Sequence, residues 1–136
     1  MSLNDIPLFA AIRGQLSWLD ARQRVIAQNV ANSDTPGYGA RDLKVPDSFA
    51  EVVRSGGGSG LTVTSARHIP AANQPDARFT QAKAPDSETT LDGNSVVVEE
   101  QMLKMAESRM AHDAAIGFYQ KSLAMLRMAA RKPGAA

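Results

Sequence analysis

Apolar residues recur along two stretches of this chain in alternating steps of three and four. The first runs through Phe9, Ile12, Leu16, Leu19, Ile26 and Val30, with Gln23 at the one step that lacks an apolar side chain. Such spacing keeps a row of side chains on one side of a helix, as in a coiled-coil seam or a narrow bundle stripe. It predicts a helix over about residues 8–32, with Arg13, Asp20, Arg22 and Arg24 off the seam. Trp18 falls beside the seam, so it either widens the stripe, the preferred reading, or marks a second contact surface. Gln23 reads as a tolerated polar step, of the kind that can fix register at some cost in stability.

The second seam runs through Val98, Met102, Met105, Arg109, His112, Ile116, Tyr119, Leu123, Leu126 and Ala130. Glu99 and Glu100 near its start, and Arg127, Arg131 and Lys132 near its end, match the sign preference of a helix dipole. Ahead of it, Asp92-Gly93 supplies a turn, and Asn94 or Ser95 offers a side-chain cap. Two seams at opposite ends of one chain pack most simply against each other. The expected fold is therefore all-α dominated, with the N- and C-terminal helices forming an antiparallel coiled-coil hairpin.

Between the helices the signals are breakers and turns. Pro36 has no amide hydrogen and biases Thr35 away from helix, so the first helix must end near Asn32. Pro36-Gly37 fits the central positions of a type II turn, glycine taking the positive φ. Beyond this corner, Arg41–Val45 reads as a short extended piece and Pro46–Val53 as one or two helical turns. Ser55–Gly60 reads as a flexible linker, and the alternating Leu61–Thr64 as a short strand. Ala71–Thr90 has no sustained period and reads as loop, longer than a compact domain ordinarily tolerates, so neighbours are expected to order it. The chain divides into residues 1–42, a helix and corner; 43–90, an irregular Gly/Pro-rich central region; and 91–136, the second helix.

Composition narrows the functional classes. The 136 residues suffice for one domain. A net charge of +1 and scattered Lys and Arg without interleaved aromatics argue against a nucleic-acid partner. With no cysteine, disulfide scaffolds, thiolate metal sites and thiol catalysis are excluded. His68 and His112 lie in different kinds of segment without metal-ligand spacing, so no metal is expected. His112 reads as a polar break in the seam that specifies register or pairs with a carboxylate such as Asp113 of a neighbour. The Ser/Gly run lacks the Lys-Ser/Thr pair of a phosphate loop and the flanks of a nucleophile elbow. No catalytic residue and no cofactor are expected, and the chain is not read as an enzyme. No apolar run reaches the roughly 20 residues of a membrane span. The N-terminus lacks a basic region and apolar core for a cleaved signal.

With those readings in place, Ala31-Asn32-Ser33-Asp34-Thr35-Pro36-Gly37-Tyr38 resembles the signature A-N-x-x-T-P-G-Y of bacterial flagellar rod, hook and other axial proteins. Leu91-Asp92-Gly93-Asn94-Ser95-Val96, leading into Glu99-Glu100-Gln101-Met102, is similar to the proximal rod members of the basal-body rod family. The likeness covers residues 1–42 and about the last 45, and Gly39 departs from the larger residue often found after the tyrosine. It implies a structural subunit that assembles through its terminal helices into a helical rod in the periplasm and transmits torque. Its implied partners are copies of itself, other rod proteins, the adaptor subunit that joins rod to membrane ring, and the flagellar export gate. It implies type III export without a cleaved signal. The residues it marks are Asn29, Ala31, Asn32, Thr35, Pro36, Gly37 and Tyr38. A reading from another class is a helical-hairpin adaptor or chaperone that binds partner helices through its methionine-rich face.

Overall fold

The structure is a computed structural model that describes residues 6–54, 79–131 and 134. In chain order its elements are helix α1 (Pro7–Ala31), strand β1 (Arg41–Leu43), helix α2 (Phe49–Arg54), strand β2 (Gln81–Lys83) and helix α3 (Val98–Ala130). The Ser/Gly run 55–60, the strand expected at Leu61–Thr64 and His68 lie outside the described residues.

Helix α1 begins at Pro7, where a missing amide hydrogen costs nothing because first-turn donors have no intrahelical partner. It ends at Asn32, whose amide bonds back to Gln28 and Asn29. On one side of α1, Phe9, Ile12, Leu19 and Ile26 are buried, while Leu16 and Val30 are half-buried. This side meets α3. The rings of Phe9 and Tyr119 pack edge-on at 5.2 Å, His112 lies 3.4 Å from Asp20, and Asn29 bonds Gln101 at 2.9 Å. As α1 numbers rise their partners' numbers fall, so the two helices run in opposite directions. His112 thus finds its carboxylate on α1 of the same chain.

Trp18, Ala21 and Val25 form a second buried side of α1, packed with Leu43 and Phe79 and backed by Phe49. The Trp18 indole donates to the Lys44 carbonyl at 2.9 Å and meets the Phe49 ring edge-on at 6.1 Å. Of the two readings of Trp18, the structure therefore has the second contact surface and not the preferred widening of the seam. Gly14 permits this layer, because a Cβ there would stand 2.0 Å from the Phe49 carbonyl oxygen. Helix α2 falls in the stretch where one or two helical turns were expected.

Strands β1 and β2 are antiparallel, with Arg41 opposite Lys83, Asp42 opposite Ala82 and Leu43 opposite Gln81. Hydrogen bonds from Lys44 to Thr80 and from Ala84 to Ala40, both 2.9 Å, extend the ladder. β2 corrects the reading of Ala71–Thr90 as loop throughout. A three-residue strand has no period to detect, and its partner lies far away in sequence. Arg22 fixes the sheet to α1 through a two-pronged contact with Asp42, both bonds 3.0 Å, while its guanidinium sits 5.5 Å from the centre of the Trp18 ring.

Helix α3 departs from expectation in its facing. Its buried residues are Gln101, Ser108, Ala115 and Ser122, seven apart and one position before Met102, Arg109, Ile116 and Leu123. Of the expected seam, Val98, Met105, Ile116, Tyr119 and Leu123 are half-buried, but Met102 is 64% exposed and Leu126 40% exposed. The physical reason is complementary volume. Large α1 residues fill the contact line, so small α3 residues let the helices approach, and the large ones flank the line.

Candidate functional site

Two turns that are far apart in sequence are built into one joint at the end of the helix pair. At the first, the Tyr38 amide donates to the Thr35 carbonyl at 3.2 Å and Gly37 has φ +72°, the hydrogen bond and positive φ that a type II turn requires. Asn32 ties this turn to the helix: its side-chain amide donates to the Gln28 carbonyl at 2.8 Å, and its Oδ1 accepts from the Thr35 hydroxyl at 3.1 Å. Pro36 and Ala31 are exposed.

The second turn, residues 90–95, plugs into the first. The Gly37 amide donates to the Asp92 carbonyl at 2.8 Å, the Ser95 amide to the Tyr38 carbonyl at 3.0 Å, and the Ala40 amide to the Ser95 hydroxyl at 3.0 Å. The buried Asn94 side chain spends both donors on the corner, reaching the Asn32 and Thr35 carbonyls at 2.8 Å each. Gly93 takes φ +86°, and a Cβ there would lie 3.4 Å from the Gly37 Cα. The Asp92 carboxylate, held by the Thr90 hydroxyl and then the Asn94 amide, titrates below its ordinary value.

Neither Asn94 nor Ser95 caps α3, contrary to expectation. The cap position is Val97, without a side-chain bond of its own. Its amide donates instead to the Asp86 carboxylate at 2.9 Å. Asp86 also accepts from Gln101 at 2.7 Å and from the Lys104 ammonium at 2.7 Å. Gln101 in turn accepts from Asn29, which donates to the Arg41 carbonyl at 2.7 Å and accepts from the Arg41 amide at 3.1 Å and the Tyr38 hydroxyl at 3.3 Å. Asn29 and Gln101 are fully buried. Burial alone would raise the Asp86 pKa, but the bonds from Lys104, Gln101 and Val97 outweigh it and hold the group below its ordinary value.

The structure thus gathers Asn29, Asn32, Thr35, Gly37 and Tyr38 into one joint, while Ala31 and Pro36 shape it from the outside. Sequence reasoning missed Gln101, Asp86 and Lys104. Gln101 left a faint signal, a polar residue one step before the seam position Met102; Asp86 left none. Beside the joint, an apolar groove is lined by Ile26, Ala27, Val30, Met102 and Met105. At the far end of the helix pair a second is lined by Leu8, Phe9, Met125, Leu126 and Ala129. Among the described residues no cluster of His, Asp and Glu is placed to hold a metal ion, and no helix is long and apolar enough to cross a membrane.

A long helix pair, a clamped corner and apolar grooves define a protein built to pack against other proteins. The comparisons give the class directly. The model of the family described as flagella basal body rod protein matches residues 14–38, which cover α1 from Gly14 onward and the corner. The chain is 37% identical over 127 residues to the flagellar basal body rod protein FlgB of Escherichia coli (strain K12), covering 88% of this chain and 86% of that one. It is 37% identical over 113 residues to FlgB of Salmonella typhimurium, covering 77% and 81% of the two chains. FlgB of Cereibacter sphaeroides is 36% identical over 107 residues, with 79% and 75% covered. This chain belongs to the flagellar basal-body rod proteins, of the FlgB type. It is a structural subunit of the basal-body rod and not an enzyme, and it assembles with other rod components.

Proposed function

We propose that this subunit enters the rod through its terminal helices, with α1 and α3 acting as an antiparallel coiled-coil hairpin and the corner setting the angle at which the chain leaves it. The observation that carries this reading is the mating of the two turns. Asn94 bonds both Asn32 and Thr35, so the direction of the chain after α1 is fixed relative to α3. Residues 1–42 and 91–136 then form the assembling part and residues 43–90 the excursion from it. The signature residues Asn29, Asn32, Thr35, Pro36, Gly37 and Tyr38 act as the joint. The two seams supply the packing surface, Phe9 to Val30 inward against α3, and Met102 and Leu126 outward toward neighbours.

The family resemblance supplies the remaining terms: copies of the chain and other rod proteins as lateral neighbours, the ring adaptor and export gate at the rod base, type III export without a cleaved signal, and torque carried through the periplasm. The decisive experiment replaces the corner and leaves the helices alone. Pro36→Ala with Gly37→Val removes the preset φ and places a β-branched residue at φ +72°. A deletion strain carrying this variant is expected to lose swimming and rods, while the purified variant keeps its helix content by circular dichroism. Equal loss of both, or normal swimming, overturns the reading.

A further inference from the structure

Strands β1 and β2 place Arg41 directly opposite Lys83. Opposed residues of an antiparallel pair hold their side chains close together on one face, and like charges there weaken the pairing. Both side chains are exposed, and neither has an ion pair or hydrogen bond with any described residue. The carboxylates of the sheet and joint are engaged elsewhere: Asp42 by Arg22, Asp86 by Lys104 and Gln101, and Asp92 by Thr90 and the Asn94 amide.

The two cations border a cleft of about 420 Å³ that is also lined by Gly39, Ala40, Pro85 and Ser95 and has no acidic residue in its wall. The buried Ser95 hydroxyl accepts from the Ala40 amide at 3.0 Å, which leaves its own proton to donate. The Gly39 amide has no partner among the described residues. The cleft therefore combines two unpaired cations with two spare hydrogen-bond donors and contains no anion. Donors and positive charge in one concavity suit a carboxylate, whose two oxygens accept several charge-assisted bonds at once.

We propose that this cleft receives the acidic side chain of a neighbouring rod subunit, held between Arg41 and Lys83. The inference rests on the reading of the chain as a rod subunit that packs through its helices, and it deepens that reading. Apolar helix packing is non-directional, whereas a carboxylate seated beside the joint fixes how the neighbour is turned against it. The opposed cations weaken the sheet of a lone subunit and become favourable once the carboxylate lies between them, so the charge pattern favours the assembled state.

Lys83 supplies the test. A carbodiimide applied to isolated basal bodies joins an amine to a carboxylate only where the two touch. Lys83 should become linked to an Asp or Glu of a second rod subunit, read as a band shifted by that subunit's mass and as a linked peptide by mass spectrometry. Lys83→Arg keeps the charge and should keep swimming, but it removes the amine, so this band should vanish. Lys83→Glu sets opposite charges across the strands, which favours the sheet, yet it fills the cleft with an anion of the chain's own. Recovered rods should fall about tenfold or more in that variant. A Lys83 that stays unlinked in intact rods, a link confined to its own chain, or normal swimming in Lys83→Glu overturns the proposal. Each would leave the helix-and-corner reading standing, because Pro36→Ala with Gly37→Val tests that separately.

Discussion

Asp86 does more than its position in an irregular stretch suggests. Its carboxylate takes the amide of Val97 at the α3 cap, holds the Gln101 amide in place for Asn29, and neutralises Lys104. The side chain is fully shielded from solvent and Lys104 is only partly so. Removing one partner of such a set leaves the others short of hydrogen bonds in a poorly hydrated place, which is costlier than never having buried them. Asp86→Asn keeps the shape and loses the charge, and is expected to cost about 2 kcal/mol at neutral pH by urea denaturation. The pH dependence has a definite sign. Because the folded pKa lies below the ordinary 3.8, the carboxylate's contribution is complete above that value and is lost as pH falls through the lowered pKa. The gap between wild type and Asp86→Asn should therefore be constant near neutrality and close in acid. A gap that persists unchanged at low pH would assign the stabilisation to shape rather than charge.

At the scale of elements, α2 is held by an absence. Alanine normally stabilises a helix interior relative to glycine by about 1 kcal/mol, so Gly14→Ala would strengthen α1 if that side faced solvent. The Phe49 carbonyl sits where the new methyl would go, and backbone does not yield as a flexible side chain does. Gly14→Ala is expected to destabilise by about 1–3 kcal/mol, with the Trp18 fluorescence changed because Phe49 packs on that ring. A stabilised variant would show that α2 is not seated there. The same contrast explains what was legible beforehand. The extent of α1 and the turn at Pro36-Gly37 were readable because a proline, a glycine and a heptad step act locally. The phase of α3 was not, because apolar residues cover more than one side of that helix. Periodicity then reports spacing without saying which row faces α1, and the row that does so is the small one, Ser108, Ala115 and Ser122. The less favoured reading of Trp18 prevailed for a related reason: α1 is buried on two sides, and one seam describes only one of them. Asp86 and Asn94 owe their roles to segments remote in sequence, so no local pattern pointed to Asp86, and the one at Asn94 pointed to a cap instead.

Over the whole molecule, the helix pair and the corner are separable devices, and two variants tell them apart. The corner variant Pro36→Ala with Gly37→Val alters the joint and leaves every α1–α3 contact in place. Ile26→Asp does the reverse. Ile26 is among the most deeply buried side chains, and it borders the groove formed with Met102 and Met105. A carboxylate in so buried a position must give up its hydration or force the helices apart, at a cost of several kcal/mol. Against the 5–15 kcal/mol that holds a typical domain together, that is enough to separate α1 from α3. Circular dichroism should then show a broadened thermal transition at lower temperature. Swimming should be lost along with the fold, whereas the corner variant should lose swimming with its transition intact. If Ile26→Asp swims normally, the α1 seam is not part of what the rod requires, and the outward side of α3 alone would have to account for assembly.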